Sequence, residues 1–144
     1  VDKLTLAALL SVINIYKAPQ RLAQRLPILA DLARPVAEIE EVASRLLAPL
    51  TQQLSTRATV SVQCCKSQIG SGALPLDLME SRALCITPIA EKGRTDEALQ
   101  GLAADFRSLP KPVVGRISDG QLFFDLRCLR NIDEFLNQLT ELPT

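Results

Sequence analysis

Asp119-Gly120 stands between two short apolar-rich runs, residues 113–117 and 121–126. Asp-Gly is a favoured pair for a two-residue type I′ connection, which needs φ > 0 at both positions. The two runs are therefore expected to be neighbouring antiparallel strands. Such a pair cannot stand alone in water, so the remaining chain has to cover it. Three helical stripes are available for that. Val36, Ile39, Val42, Ala43, Leu46 and Leu47 form the first, with Glu38, Glu40, Glu41 and Arg45 facing away. Pro49 is expected to kink or end this helix, although Leu50 and Leu54 continue the stripe. Leu99, Leu102, Ala103, Phe106 and Leu109 form the second, with Thr95 as the expected N-cap and Pro110 and Pro112 as the stop. The third starts near Asn131 and carries Ile132, Phe135, Leu136, Leu139 and Leu142.

Two more strands are expected. Residues 59–65 are β-branched and alternate, with Val60, Val62 and Cys64 on one face and Ser61, Gln63 and Cys65 on the other. Residues 83–87 form a short apolar run ended by Pro88, which reads as a strand buried on both faces. The order from residue 36 is α-β-β-α-β-β-α. This is an α+β domain, with a mixed or antiparallel sheet of about four strands packed against amphipathic helices.

Residues 1–35 belong less clearly to that unit. Residues 3–16 are apolar on nearly every side, and short helical turns follow over 20–33, punctuated by Pro19, Pro27 and Pro35. A helix apolar all round is expected to be buried on most sides. If Leu6, Leu10 and Ile13 face the body of a domain, then Leu4, Val12 or Ile15 remain outside. The partner for that second face is expected either in a missing part of a longer protein or in a second copy. Val1 is not a methionine, which agrees with the first alternative.

Composition excludes several functions. Hydrophobic residues make up 47% of the 144, enough for a core. Sixteen basic and sixteen acidic residues give a formal net charge of zero, so no global field draws the chain to a phosphate backbone or an anionic lipid. The absence of histidine removes the usual proton shuttle and the common metal ligand. Aromatic residues at 3% make a stacking platform for single strands implausible. Cys64, Cys65, Cys85 and Cys128 include no C-x-x-C pair and are expected to be reduced, mostly buried thiols of a cytoplasmic protein. No apolar run reaches the length of a membrane span. No metal site and no catalytic set is expected.

The candidate binding residues are few. Gly70-Ser71-Gly72 could cradle an anion with backbone N–H groups, though it matches neither the P-loop nor the dinucleotide fingerprint and also reads as an ordinary turn. Arg116, beside Gly115 in the first hairpin strand, could fork onto a carboxylate or phosphate, or simply bond Asp119 or Asp125 across the hairpin. Asp125 and Arg127 lie two apart and read as structural partners of neighbouring strands. Lys3, Lys17, Lys66, Lys92 and Lys111 each sit at an element edge or in polar company, whereas a Schiff-base lysine wants desolvation.

Three segments in order carry a resemblance. Val1-Asp2-Lys3-Leu4-Thr5-Leu6-Ala7-Ala8-Leu9 resembles the helix that follows the cofactor-lysine region of bacterial selenocysteine synthases, the L-seryl-tRNA(Sec) selenium transferases. Ser67-Gln68-Ile69-Gly70-Ser71-Gly72-Ala73-Leu74-Pro75 is similar to that family's Gly/Ser-rich loop. Pro112-Val113-Val114-Gly115-Arg116-Ile117-Ser118-Asp119-Gly120, with Phe124-Asp125-Leu126-Arg127-Cys128-Leu129, resembles its C-terminal hairpin. Glu80 and Gln121 depart from the pattern, standing where the family usually has proline and commonly has arginine.

The resemblance implies a fold-type I pyridoxal-phosphate enzyme, aminotransferase-like, of which this chain is the small C-terminal domain. It implies conversion of seryl-tRNA(Sec) to selenocysteinyl-tRNA(Sec) with selenophosphate, in a cytoplasmic homo-oligomer. The Schiff-base lysine would lie upstream, so the chain alone would be inactive and hold no cofactor. Residues 1–35 would link to the missing large domain, and Arg116, Gln68, Gly70, Ser71 and Gly72 would face substrate. A related pyridoxal-phosphate lyase acting on a free amino acid, and a non-enzymatic oligomerisation module, remain as alternatives.

Overall fold

The computed structural model describes residues 2–68 and 78–143. Two compact units are present, Val1–Pro35 and Val36–Thr144. In the first, helix α1 spans Lys3–Tyr16, a single 3-10 turn spans Pro19–Arg21, and two short helices follow, α2 at Leu22–Arg25 and α3 at Pro27–Ala33. Asp2 caps α1 by accepting a 2.8 Å hydrogen bond from Thr5 N–H. No residue of α1 is buried. Leu6, Leu10 and Ile13 are exposed together with Leu4 and Val12, so the expected division into an inward and an outward face is not observed. A unit made of one long helix and three short turns has too little surface to cover either side.

The second unit is an α+β sandwich. Helix α4 spans Val36–Gln53, strand β1 Ala58–Gln68, β2 Leu78–Pro88, helix α5 Thr95–Ser108, β3 Arg116–Ser118, β4 Gln121–Asp125 and helix α6 Ile132–Gln138, with a closing 3-10 turn at Leu139–Glu141. The strand order is β1-β2-β4-β3 and every pairing is antiparallel, so the sheet is antiparallel and not mixed.

The stripes read from the sequence form the core. Ile39, Val42, Ala43, Leu46 and Leu50 of α4 are buried, as are Leu99, Leu102, Ala103 and Phe106 of α5. They pack with Leu84, Ile86, Leu122 and Phe124 of the sheet, and Val60 and Val62 border the cluster. Pro49 neither ends nor interrupts α4. Helix α5 begins at Thr95 itself, with Arg94 in the cap position, so Thr95 is not the cap. Asn131 caps α6, accepting a 3.1 Å bond from Glu134 N–H. Asp119 and Gly120 have φ of 51° and 73°, the two positive angles of a type I′ turn.

Side chains alternate across a sheet, so the register sorts its residues into two faces. The helices of this unit cover the face that carries Val60, Val62, Leu84, Ile86, Leu122 and Phe124. The other face carries Ser61, Gln63 and Cys65 of β1, Ser81, Ala83 and Cys85 of β2, Phe123 and Asp125 of β4, and Arg116 of β3. Polar contacts knit it: Gln121 donates to the Thr87 hydroxyl at 2.7 Å, and Gln63 donates to Gln121 at 3.4 Å. The four cysteines are free thiols, but only Cys85 is fully buried; Cys64 and Cys128 are exposed. Cys64 lies on β1 beyond the last core-bordering residue, Val62, which explains its exposure.

Candidate binding cleft

A cleft of about 570 Å³ lies where the β1–β2 ribbon passes the start of β3; Cys65, Ser67, Gln68, Arg116, Phe123 and Asp125 are among its walls. Its shape follows from unequal strand lengths. β1 and β2 pair over eleven residues each, whereas β4 meets β2 only from Ala83 to Ile86. The far end of the ribbon therefore runs past the four-stranded part of the sheet.

Arg116 stands directly opposite Phe123 in the β3–β4 register. Its guanidinium carbon lies 5.2 Å from the Phe123 ring centroid, a cation–π contact. Among the described residues it makes no ion pair with Asp119 or Asp125, so the cross-hairpin pairing is not observed. Asp119 instead accepts from the Ser118 hydroxyl at 2.8 Å. The close approach of β3 to β4 depends on Gly115. A Cβ there would sit 2.6 Å from the Phe123 carbonyl oxygen and 2.7 Å from the Phe124 ring.

Asp125 binds three donors. The Ser67 hydroxyl donates to one carboxylate oxygen. The Ser81 hydroxyl and the Arg127 backbone N–H donate to the other, at 2.6 and 3.0 Å. Asp125 thus ties β1, β2 and the end of β4 together. Arg127 lies beyond β4 and is buried, and its guanidinium donates to the Glu80 carbonyl. Both residues have the structural partners the sequence suggested, and Asp125 also faces the cleft.

Cys65 is the thiol in the cleft wall. Burial pushes its pKa up from the usual 9.0, and the Asp125 charge pushes the same way, so it is protonated at neutral pH and a poor nucleophile. Cys85, on the same face, is pushed up to about 11, by burial first and by Cys65 second.

Of the sequence-predicted site residues, Arg116 and Gln68 border the same cleft. By register Gln68 belongs to the opposite face of β1 from Cys65 and Ser67, and it meets the cleft only at the strand end. Gly70, Ser71 and Gly72 lie outside the described residues. Phe123 and Asp125 were not read as site residues. Their signal is positional: counting outward from the Asp119-Gly120 turn places Phe123 across from Arg116 and Asp125 on the same face.

Among the described residues no group of three or more His, Cys, Asp or Glu could hold a metal ion, and no helix is long and apolar enough to cross a membrane. The five lysines do not fit a pyridoxal-phosphate anchor. All are exposed, and Lys66 and Lys111 are engaged with Glu80 and Glu134. A Schiff-base lysine needs a desolvated pocket.

Fold and cleft together define a one-sided α+β domain whose described residues offer groups for binding. The family model for L-seryl-tRNA selenium transferase matches residues 1–130. The chain is 47% identical over 138 residues to the L-seryl-tRNA(Sec) selenium transferase of Yersinia pestis (strain Pestoides F), a match covering 96% of this chain and 29% of that protein. The same figures hold for the L-seryl-tRNA(Sec) selenium transferase of Yersinia pseudotuberculosis serotype O:3 (strain YPIII). The chain belongs to the L-seryl-tRNA selenium transferase family, and it spans 29% of the length of the curated relatives it matches.

Proposed function

We propose that this chain is the C-terminal part of an enzyme that converts seryl-tRNA(Sec) to selenocysteinyl-tRNA(Sec), taking selenium from selenophosphate. The observation that carries the reading is the family match over residues 1–130, with relatives of the same printed activity aligned along 96% of the chain. Pyridoxal phosphate, acting as the electron sink when bound, belongs to the rest of that protein; the exposed lysines here support this assignment. Residues 1–35 then join the domain to the larger cofactor-bearing part. The exposed apolar side chains of α1, with Leu4 at 83% and Leu10 at 58%, support a role in contacting it. Residues 36–144 supply the cleft, with Arg116 and Gln68 toward substrate. A cytoplasmic location and a homo-oligomeric state are parts of the same proposal.

The test is the full-length protein encoded by the same reading frame. Purified with pyridoxal phosphate, it is expected to transfer labelled selenium from selenophosphate onto seryl-tRNA(Sec). It is expected to lose that activity when residues 36–144 are deleted. Turnover of free small amino acids with none of seryl-tRNA(Sec) would replace this reading with the lyase alternative.

A further inference from the structure

The β1–β2 ribbon does not lie flat. β4 pairs with β2 only from Ala83 to Ile86, so residues 64–68 and 78–82 form an extension with no third strand in the ladder beside them. Ser67 faces Met79 across the ribbon, while Asp125 faces Ala83. The two thus stand four residues and two strand spacings apart, about 16 Å in a flat sheet. A serine and an aspartate joined by a hydrogen bond are separated by at most about 9 Å at Cα. Yet the Ser67 hydroxyl donates to the Asp125 carboxylate. The ribbon is therefore curled over the open face of the sheet. The curl also brings Leu78, at the ribbon end of β2, to the same cleft as Val114, two residues before β3.

The extension has little apolar surface to hold it there. Lys66, Gln68 and Glu80 are exposed, Ser67 and Ser81 are polar, and Leu78 is 47% exposed. Segments with few buried apolar contacts open locally at low free energy. Polar contacts anchor it instead. Leu126 N–H donates to the Arg82 carbonyl at 3.0 Å, and the Arg127 guanidinium donates to the Glu80 carbonyl. Both attach β2 laterally, along the edge where the β4 pairing stops. The Arg82–Glu40 pair, at 3.3 Å, ties the ribbon to α4 on the helix-covered face. Asp125 acts on the open face. One of its oxygens is fixed by the Ser81 hydroxyl at 2.6 Å and the Arg127 N–H at 3.0 Å, and the other reaches across β2 to Ser67 on β1.

We propose that Ser67 and Asp125 pin the ribbon over the open face, and that this pair positions the ribbon wall of the cleft. Cys65 and Ser67 meet Arg116 and Phe123 around one cleft only in the curled form. With the pin released, the ribbon straightens beyond Ala83, the cleft opens, and the half-buried Cys65 thiol is uncovered. The inference goes beyond the proposed function and concerns the shape of the cleft, whatever enters it.

The experiment follows Cys65 in the 144-residue chain, with the exposed Cys64 and Cys128 replaced by serine. Modification by iodoacetamide at pH 8 is timed by mass spectrometry. Ser67→Ala is expected to speed the Cys65 reaction about tenfold, through loss of one hydrogen bond to a charged group. Ser67→Thr keeps the hydroxyl and is expected to restore the parent rate. Cys85, fully buried on the same face, is expected to stay unmodified in all three, and the melting temperature to stay within about 3 °C. A merely structural role for Ser67 would expose Cys85 together with Cys65 and lower the melting temperature, and that outcome overturns the inference. So does an unchanged Cys65 rate in Ser67→Ala, or a Ser67→Thr variant as fast as Ser67→Ala. Selenium transfer by the full-length protein is a separate measurement. Its failure would remove the proposed function and leave the pin standing, and an unmoved Cys65 rate would do the reverse.

Discussion

Adding one methyl group at Gly115 and the same group at Gly101 should change stability in opposite directions. At Gly115 the new Cβ would lie 2.6 Å from the Phe123 carbonyl oxygen and 2.7 and 2.8 Å from two Phe124 ring carbons. An ordinary contact needs about 3.5 Å, so the separation has to grow by roughly 0.9 Å. Neither neighbour can supply that movement alone. The Phe123 carbonyl belongs to β4, which is paired on both sides. The Phe124 ring is 5% exposed and packs edge-on against Phe106, with centroids 4.7 Å apart. β3, only three residues long, is the part that moves. Overpacking of this kind costs about 1–3 kcal/mol, and the fixed neighbours put Gly115→Ala in the upper half of that range. For a unit of this size, that is a fall of about 8–12 °C in Tm. At Gly101, in the exposed middle of α5, nothing lies within 4 Å of the added Cβ. Gly101→Ala therefore gains about 0.5–1 kcal/mol from helix propensity. Urea unfolding of both variants, followed by circular dichroism, gives the two values directly. A Gly115→Ala variant within about 0.5 kcal/mol of the parent would refute the close-approach reasoning. So would equal destabilisation by both substitutions.

Other expectations follow from burial and capping. At mildly alkaline pH a thiol reagent should modify Cys64 and Cys128 quickly, and Cys85 only when the chain unfolds; peptide mapping over time separates them. Because the Cys85 pKa is raised from 9.0 to about 11 in the fold, its protonated form is the one stabilised. That contribution is whole below pH 9 and is lost as pH rises toward 11, so unfolding free energy should fall across this window more steeply for the parent than for Cys85→Ala. Asn131→Ala removes the side-chain acceptor of the Glu134 N–H and should cost about 1 kcal/mol, read from the urea midpoint. Leu10→Ser, on exposed α1, should change the stability of the 144-residue chain by less than about 0.5 kcal/mol. In the full-length protein the same substitution should lower Tm measurably, and equal insensitivity there would remove the docking role proposed for α1.

What the sequence disclosed depended on whether an element buries a face. The α5 stripe and the Asp119-Gly120 turn were legible because core packing and φ > 0 each demand particular residues. β1 was read as ending at Cys65, yet it runs to Gln68, and β2 begins at Leu78, well before the apolar run. The added residues form a two-stranded ribbon beyond the helix-covered sheet. Lys66, Gln68 and Glu80 lie on one face of that extension and are exposed, and Ser67 and Ser81 on the other are polar, so no apolar–polar alternation in the sequence marks it. The sequence starts the third strand at residue 113, three residues before Arg116, where β3 begins. Val113 is apolar because it borders the core, and its N–H donates to the Phe106 carbonyl at the end of α5, not to β4. Arg116 and Gln68 were both legible as candidates through residue type and position. Phe123 and Asp125 required the register, which residue type alone does not provide.

The two sheet faces explain why binding groups gather where they do. On the covered face Val60, Leu84, Ile86, Leu122 and Phe124 pack into the core, and charge enters beyond them at Arg82, which pairs with Glu40 of α4 at 3.3 Å. The alternate residues are released from that constraint, and serine, glutamine, cysteine, aspartate and arginine occupy them. Asp125 still has a structural task, because its three donors join separate strands. Arg116 has little of one. Its side chain is exposed and its contact with Phe123 is worth only about 0.5–1 kcal/mol at such a site. Removal of the two charges should therefore separate cleanly. Loss of Asp125 affects both fold and cleft, whereas loss of Arg116 affects the cleft and leaves the fold nearly untouched. Arg116, dispensable for stability and held by strand register at the cleft, is thus the residue whose replacement tests the binding role proposed for it.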